Sequence, residues 1–270
     1  MLPKNALDSC NNAFLALNDL SVNTITLSFL LFLKMSDQQT SRHQHSSLTN
    51  TLTKQNQDNV CLNIGCGDVC PEGWEHIDAS LSLRISKVPI IGRPIISLIS
   101  GHQWSNSVKY GDIIKGLPEK HDKYQLVFAC HILEHLSIQD FHHAMRNVYS
   151  CLKPGGIFRI IVPDLEQYVS TYMAHRADTT LSDKAAHEFM IKSWLGHRGS
   201  RSSFFLRLTE GFSNSRHQWM WDEPSLKTTF VQHGFKNIRR CYYGDWSDPR
   251  FATVEKEGNF LQAVGIEGIK

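Results

Sequence analysis

Gly65 and Gly67 follow the apolar run Val60-Cys61-Leu62-Asn63-Ile64, and Asp78 stands thirteen positions after Gly65. A glycine turn at a strand end lets a ligand approach bare backbone, because no Cβ blocks it. An acid at the end of the next strand can accept both hydroxyls of a ribose. Together these residues describe a nucleoside pocket at the carboxyl edge of an α/β sheet. A second group carries acid–base chemistry. His131-Ile132-Leu133-Glu134-His135 follows another apolar run, and His217 lies in an aromatic, basic stretch. Histidine suits proton transfer near neutral pH. His131 and His217 are therefore the candidate bases, with Asp164 third.

The H-x-x-E-H spacing also occurs where two histidines one helical turn apart bind zinc beside a glutamate base. That arrangement needs a helix starting well before the first histidine. Here the motif begins directly after a buried strand. Glu134 and His135 read instead as fixing the strand-to-helix turn by hydrogen bonds, so no metal is expected; a non-hydrolytic divalent metal at this motif is the other reading, with His131 departing from the E-x-x-E-H pattern it would use. Cys61, Cys66 and Cys70 read as two buried small residues and one loop thiol. A dinucleotide oxidoreductase would place a third glycine or alanine where Cys70 stands, and an acid about 20 residues on. Neither condition is met.

The elements that position these residues alternate between strand and helix, which argues for a mostly parallel sheet with helices on its faces. Strands are expected at Val60–Ile64, Trp74–Asp78, 108–112, Tyr124–Cys130 and 157–162, with a final pair at 238–243 and 260–266. Phe141, Met145, Val148 and Leu152 have helical spacing, with Ser137 and Asp140 as a cap and Lys153-Pro154-Gly155-Gly156 as a stop. Pro224 opens a later helix carrying Leu226, Phe230 and Val231, closed by Gly234. Only nine residues, 65–73, separate the first two strands. A crossover helix usually needs a dozen or more, so the first helix is shortened or missing. The leader or the stretch 84–101 is expected to cover that sheet face. The same stretch mixes Ile and Val with Arg84, Lys87 and Arg93, so a pocket lid or membrane contact are its other readings.

With 270 residues the chain can bury a sizeable core. A net charge of +2 gives no drive toward nucleic acid or anionic membrane. Seven cysteines without a C-x-x-C pair fit a reducing cytoplasm. Residues 1–58 read as a flexible leader, polar from 36 to 58. Within it, Ile25 to Leu33 is apolar but far shorter than a spanning helix of roughly 20 residues. Met35 reads as the true start; a short membrane-surface anchor is the other reading. Asp8 and Asp19 stand beside Lys4 and no small-residue cleavage site follows, which argues against a signal peptide. Residues 59–270 form the domain, with an insertion at 167–222 as a substrate cap. Trp194, Arg201, Phe204, Phe205, Arg207, Trp219 and Trp221 belong to that cap, or form its own small core.

From Asn59 onward the chain resembles the class I S-adenosylmethionine-dependent methyltransferases. Four pieces match in order: Leu62-Asn63-Ile64-Gly65-Cys66-Gly67, His76-Ile77-Asp78, Cys130-His131-Ile132-Leu133-Glu134-His135-Leu136, and Leu152-Lys153-Pro154-Gly155-Gly156. Val162-Pro163-Asp164-Leu165-Glu166 and His217-Gln218-Trp219-Met220-Trp221-Asp222 are similar to a bacterial group linked to surface-glycan and sugar metabolism, with type 11-like methyltransferase character. The resemblance implies a Rossmann-like sheet, mostly parallel with an antiparallel last strand. It implies S-adenosyl-L-methionine as cofactor, held by Asn63, Gly65, Cys66, Gly67, Asp78, Asp112 and Cys130. Asp112 would meet the adenine amino group; a plain turn aspartate is its other reading. The reaction implied is methyl transfer to an oxygen or nitrogen acceptor, a small molecule or glycan-related metabolite. A non-catalytic S-adenosylmethionine- or nucleoside-binding protein on the same fold is the alternative. Gln125 departs from the pattern, standing where many relatives open the fourth strand with an acid.

Overall fold

The computed structural model describes residues 60–100, 103–117, 121–196 and 216–270. The leader 1–58 and the cap residues Arg201, Phe204, Phe205 and Arg207 lie outside the described residues. Seven strands form one sheet: β1 (Val60–Ile64), β2 (Trp74–Asp78), β3 (Val108–Tyr110), β4 (Tyr124–Cys130), β5 (Leu152–Pro163), β6 (Lys236–Cys241) and β7 (Ala263–Ile269). Their spatial order is β3-β2-β1-β4-β5-β7-β6. β7 runs antiparallel to both β5 and β6, and the other pairs are parallel. The order reverses between β1 and β4, so the crevice at their carboxyl ends is the topological switch point where such sheets bind ligands.

The helices are α1 (Leu81–Ser86), α2 (Gly92–Ser100), α3 (Ile138–Cys151), α4 (Leu165–Ala177), α5 (Ala185–Lys192) and α6 (Glu223–Gln232). Ser137 caps α3 by accepting from the Asp140 amide at 3.2 Å, and Asp222 caps α6 through a reciprocal box with Ser225. Both helices bury their apolar stripes on one sheet face. Phe141, Met145 and Val148 of α3 and Leu226 and Phe230 of α6 pack there with Leu62, Val127, Phe158 and Ile160. Leu152 departs from the expected helix: it is the first residue of β5, which runs through the Lys153-Pro154-Gly155-Gly156 turn before its buried stretch. Among the described residues no helix is long and apolar enough to cross a membrane.

The opposite face shows what the short first crossover does. Residues 65–73 form turns and no helix. The bare face presents Cys61, Trp74, Leu126, Phe128, Ile161 and Ala263. Of the two expected sources, the leader lies outside the described residues, and the stretch 84–101 does not supply the cover found there. Leu83 of α1 packs sideways with Cys66 and Val108, and Ile95 and Leu98 of α2 are exposed. The cover is the β6–β7 connection, residues 242–262, whose Phe251 and Val254 close over the face. Antiparallel neighbours can be joined by two residues; here the connection is long because it substitutes for a helix. Trp74 Nε1 donates to Thr253 Oγ1 at 3.0 Å, fastening the cover to β2.

A buried arginine anchors the same cover. Arg159 of β5 is 0% exposed. Its guanidinium donates to both oxygens of Glu255, to Glu267 Oε2 at 2.8 Å, and to the carbonyls of Asp245 and Tyr242 at 2.9 and 3.0 Å. Trp246 Nε1 adds a bond to Glu255 Oε2 at 2.6 Å. Satisfying these donors is what allows a charged group in the sheet interior.

Candidate active site

The carboxyl ends of β1, β2 and β4 bring the glycine turn, Asp78 and the histidine motif to one edge. The Gly65 amide donates to the Ile77 carbonyl at 2.8 Å, tying the turn to β2. Gly65 and Gly67 have φ of 62° and 51°, the left-handed region. They are glycines for different reasons. A Cβ on Gly65 would lie 2.0 Å from Ile132 Cδ1, whereas one on Gly67 would meet nothing within 4 Å. Gly65 permits close packing, and Gly67 leaves open space for a ligand. Asn63 is 3% exposed, and its Nδ2 donates to the Val69 carbonyl at 2.9 Å. It positions the loop from beneath. The Cys66 side chain packs inward with Leu83 and Val108, and burial, reinforced by Cys70, pushes its thiol up. The Cys66 side chain is therefore committed to packing. Asp78 Oδ1 accepts from the Ser80 amide at 2.8 Å, which orients the carboxylate.

Asp112 Oδ1 accepts from the amides of Ile114 and Lys115 at 3.0 and 3.4 Å. This is the turn role weighed against adenine contact. Cys130 ends β4 beside the apolar cover, and burial, aided by Glu134 and Glu255, pushes its thiol up. Gln125 lies at the opposite, amino end of β4 and bonds the Gly155 carbonyl at 3.3 Å, away from the ligand edge.

The histidine motif forms a short 3-10 turn over Leu133–His135. Glu134 is 0% exposed. Neither of its oxygens makes a well-formed hydrogen bond, yet three imidazoles surround it. Glu134 Oε1 lies 3.3 Å from His131 Nδ1 and 3.9 Å from both His135 Nε2 and His217 Nε2. His217 arrives from a segment distant in sequence because the amides of Gln218 and Trp219 donate to the Glu134 carbonyl at 2.7 and 3.2 Å. Burial opposes charge on His131, but the Glu134 carboxylate outweighs it and holds that imidazole above its ordinary range. Burial lowers His217, with Glu134 only partly offsetting it. His131 adopts φ 53°, a left-handed conformation costing on the order of 1–2 kcal/mol. That conformation accompanies a ring turned to the Asn259 carbonyl at 2.9 Å.

Asp164 is elsewhere in character. It caps α4, accepting from the Glu166 amide at 3.1 Å and Gln167 Nε2 at 3.0 Å, and it lies 3.4 Å from Arg240 Nη2. Trp221 is buried in the main core, its ring 4.2 Å from that of Phe141. Trp194 and Trp219 are exposed, and Trp194 stacks near His217 at 6.3 Å. Sequence reasoning left Glu134 and His135 as turn residues. No local signal joins His217, named separately as a candidate base, to Glu134, 83 positions earlier.

A family model for methyltransferase domains matches residues 38–240. The chain belongs to this methyltransferase family. The strand order, with β7 antiparallel between β5 and β6, is that of a Rossmann-like methyltransferase sheet. The chain is thus a class I methyltransferase, and S-adenosyl-L-methionine is its cofactor. A comparison with curated sequences gives no match. Solved structures similar to it include a SAM-dependent methyltransferase from Archaeoglobus fulgidus, 17% identical over 83% of this chain and 92% of that one, TM-score 0.41. Another is a SAM-dependent methyltransferase described as a possible histamine N-methyltransferase from Thermotoga maritima, 16% identical over 78% of this chain and 81% of that one, TM-score 0.39.

The residues fit the cofactor of this family. The open space beside Gly67 would let a ligand approach bare backbone, and Asp78, at the adjacent strand end, is a carboxylate able to accept ribose hydroxyls. The two glycines should therefore respond differently to alanine. Gly65→Ala should lower stability by about 1–3 kcal/mol, from strain and the Ile132 clash. Gly67→Ala should cost stability about 1–2 kcal/mol and lose more in affinity for S-adenosylhomocysteine. Paired thermal melts and calorimetry check this; equal affinity losses in both would contradict the division of roles.

Proposed function

We propose that this methyltransferase transfers its methyl group to an oxygen or nitrogen nucleophile of a small acceptor, with a sugar or glycan-related metabolite as the best-fitting class. The observation that carries the reading is the cluster of His131, His135 and His217 around buried Glu134 at the carboxyl edge. Bound S-adenosyl-L-methionine supplies a methyl group already activated on a sulfonium. The chain's own residues have to align the acceptor, exclude water and remove a proton. Burial favours the neutral form of His217, which can accept a proton from a hydroxyl. His131 is the second candidate, bracing Glu134 from the β4 side. The exposed rings of Trp194 and Trp219 offer apolar faces beside these groups, suited to the C–H face of a sugar ring.

An acceptor screen with isotopically labelled cofactor tests the class, read as a mass gain of one methyl. Gain on amino or hydroxyl sugars supports the reading; gain on carbon nucleophiles alone contradicts it. The cofactor half has its own check. Asp78→Ala removes a charged acceptor and should weaken S-adenosylhomocysteine binding by about 1.5–3 kcal/mol, roughly 10- to 150-fold. Unchanged calorimetric affinity in a folded variant would remove Asp78 from the ribose site.

A further inference from the structure

We propose that Glu134, His135 and His217 form a binding site for one divalent transition-metal ion, in a two-histidine, one-carboxylate arrangement. Their ligand atoms all lie within 4.8 Å of one another. The tautomers follow from the neighbouring carbonyls, which can only accept hydrogen bonds. His135 Nδ1 sits 3.0 Å from the Arg216 carbonyl, so Nδ1 carries the proton and Nε2 is the bare nitrogen. That bare Nε2 faces Glu134 Oε1. In neutral His131, Nε2 donates to the Asn259 carbonyl and Nδ1 turns its lone pair on the same oxygen. Lone pairs converging on a buried, unpartnered carboxylate repel unless a cation lies among them.

A proton on His131 would relieve one of these contacts, that at 3.3 Å. It leaves the two contacts at 3.9 Å, which are too long for hydrogen bonds. A metal ion held by Glu134, His135 and His217 serves both of these contacts. At bond lengths of about 2.0–2.2 Å, tetrahedral ligands stand about 3.3–3.5 Å apart, so the two Glu134 contacts must shorten by about half an ångström and the widest pair, within 4.8 Å, by up to about 1.5 Å. A ligating histidine almost always donates its second nitrogen to a carbonyl or carboxylate, as His135 does to Arg216. Three protein ligands leave a coordination position for an exogenous oxygen, and imidazole with carboxylate suits zinc, iron or manganese. In this state His217 is a ligand, and activation of an acceptor hydroxyl passes to the metal. That use rests on the methyl-transfer reading; the site itself does not.

The test uses the full, tag-free chain stripped with chelator and titrated with Zn²⁺ by calorimetry and with Co²⁺ by absorption. The expected result is one tight equivalent, with weak cobalt bands and no intense sulfur-to-cobalt band. His217→Gln and Glu134→Gln should each weaken binding by at least about 100-fold, and Cys70→Ser should leave it unchanged. The cysteine control matters because Cys66, Cys70 and His76 also cluster. Absence of saturable binding overturns the proposal. So does a sulfur-to-cobalt band, or binding that survives in His217→Gln and fails in Cys70→Ser. Should Glu134→Gln fail to fold, the wild-type cobalt spectrum and His217→Gln decide. S-adenosylhomocysteine calorimetry on the same samples separates the two readings: normal cofactor binding without metal overturns the site alone, and metal binding without cofactor overturns the donor alone while supporting the site.

Discussion

Arg159→Ala should destabilise the domain by about 3–5 kcal/mol, the cost of breaking a buried ion pair from one side. Folded proteins hold about 5–15 kcal/mol in total, so this is a large fraction. The reason lies in what the arginine leaves behind. Glu267 keeps Arg239 Nε at 2.6 Å, but Glu255 keeps only Trp246 Nε1 among the side-chain bonds described above. A buried carboxylate with one donor is poorly compensated. Arg159→Lys should recover little, because an ammonium cannot reproduce the fork that reaches two carboxylates and two carbonyls. Adding Glu255→Gln to Arg159→Ala should restore part of the loss. Urea unfolding followed by circular dichroism measures each step; a loss below about 1 kcal/mol for Arg159→Ala would mean the network carries no stability.

His217→Ala should reduce turnover by about 10²- to 10⁴-fold, the usual range for removing a general base, with S-adenosylhomocysteine affinity nearly unchanged. The ring stands against Glu134, His135 and Trp194, and none of these belongs to the glycine turn or to Asp78. His131→Ala differs in kind. It also releases the Asn259 carbonyl, so a fall in melting temperature should accompany any fall in turnover. Asp164→Ala provides the contrast, since losing a helix cap typically costs about 1 kcal/mol of stability and leaves turnover per folded molecule intact. Cofactor binding, melting temperature and methyl transfer measured on the same variants distinguish these cases. Unchanged turnover in His217→Ala would take that residue out of the chemistry.

The strand ends and the glycine turn at the carboxyl edge were legible because their signals are local. An apolar run, a glycine turn and an acid within thirteen positions of Gly65 need no distant partner to be recognised. The absent crossover helix was legible too, from the nine residues available for it. What replaces the helix was not. Phe251 and Val254 sit in and after a 3-10 turn without periodicity, and Arg159 looks in sequence like a polar interruption of a strand. Its partners lie 83 to 108 positions away. The histidine cluster hides for the same reason. Glu134 and His135 announce a turn, and only the backbone bonds from Gln218 and Trp219 reveal that His217 completes their surroundings.

The sheet's late cover sets an order of assembly. Strands β1, β2 and β4 emerge from the ribosome long before residues 242–262, and N-terminal parts of a chain generally fold first. Until those residues arrive, Cys61, Trp74, Leu126 and Phe128 have no partner from the β6–β7 connection that later buries them. β7 then enters between β5 and β6 rather than at an edge, so a strand made after both of its neighbours completes an interior position. The face covered by the β6–β7 connection is therefore finished late. Once complete, it is closed by a clasp whose two halves, Arg159 and Glu255, were made about a hundred residues apart.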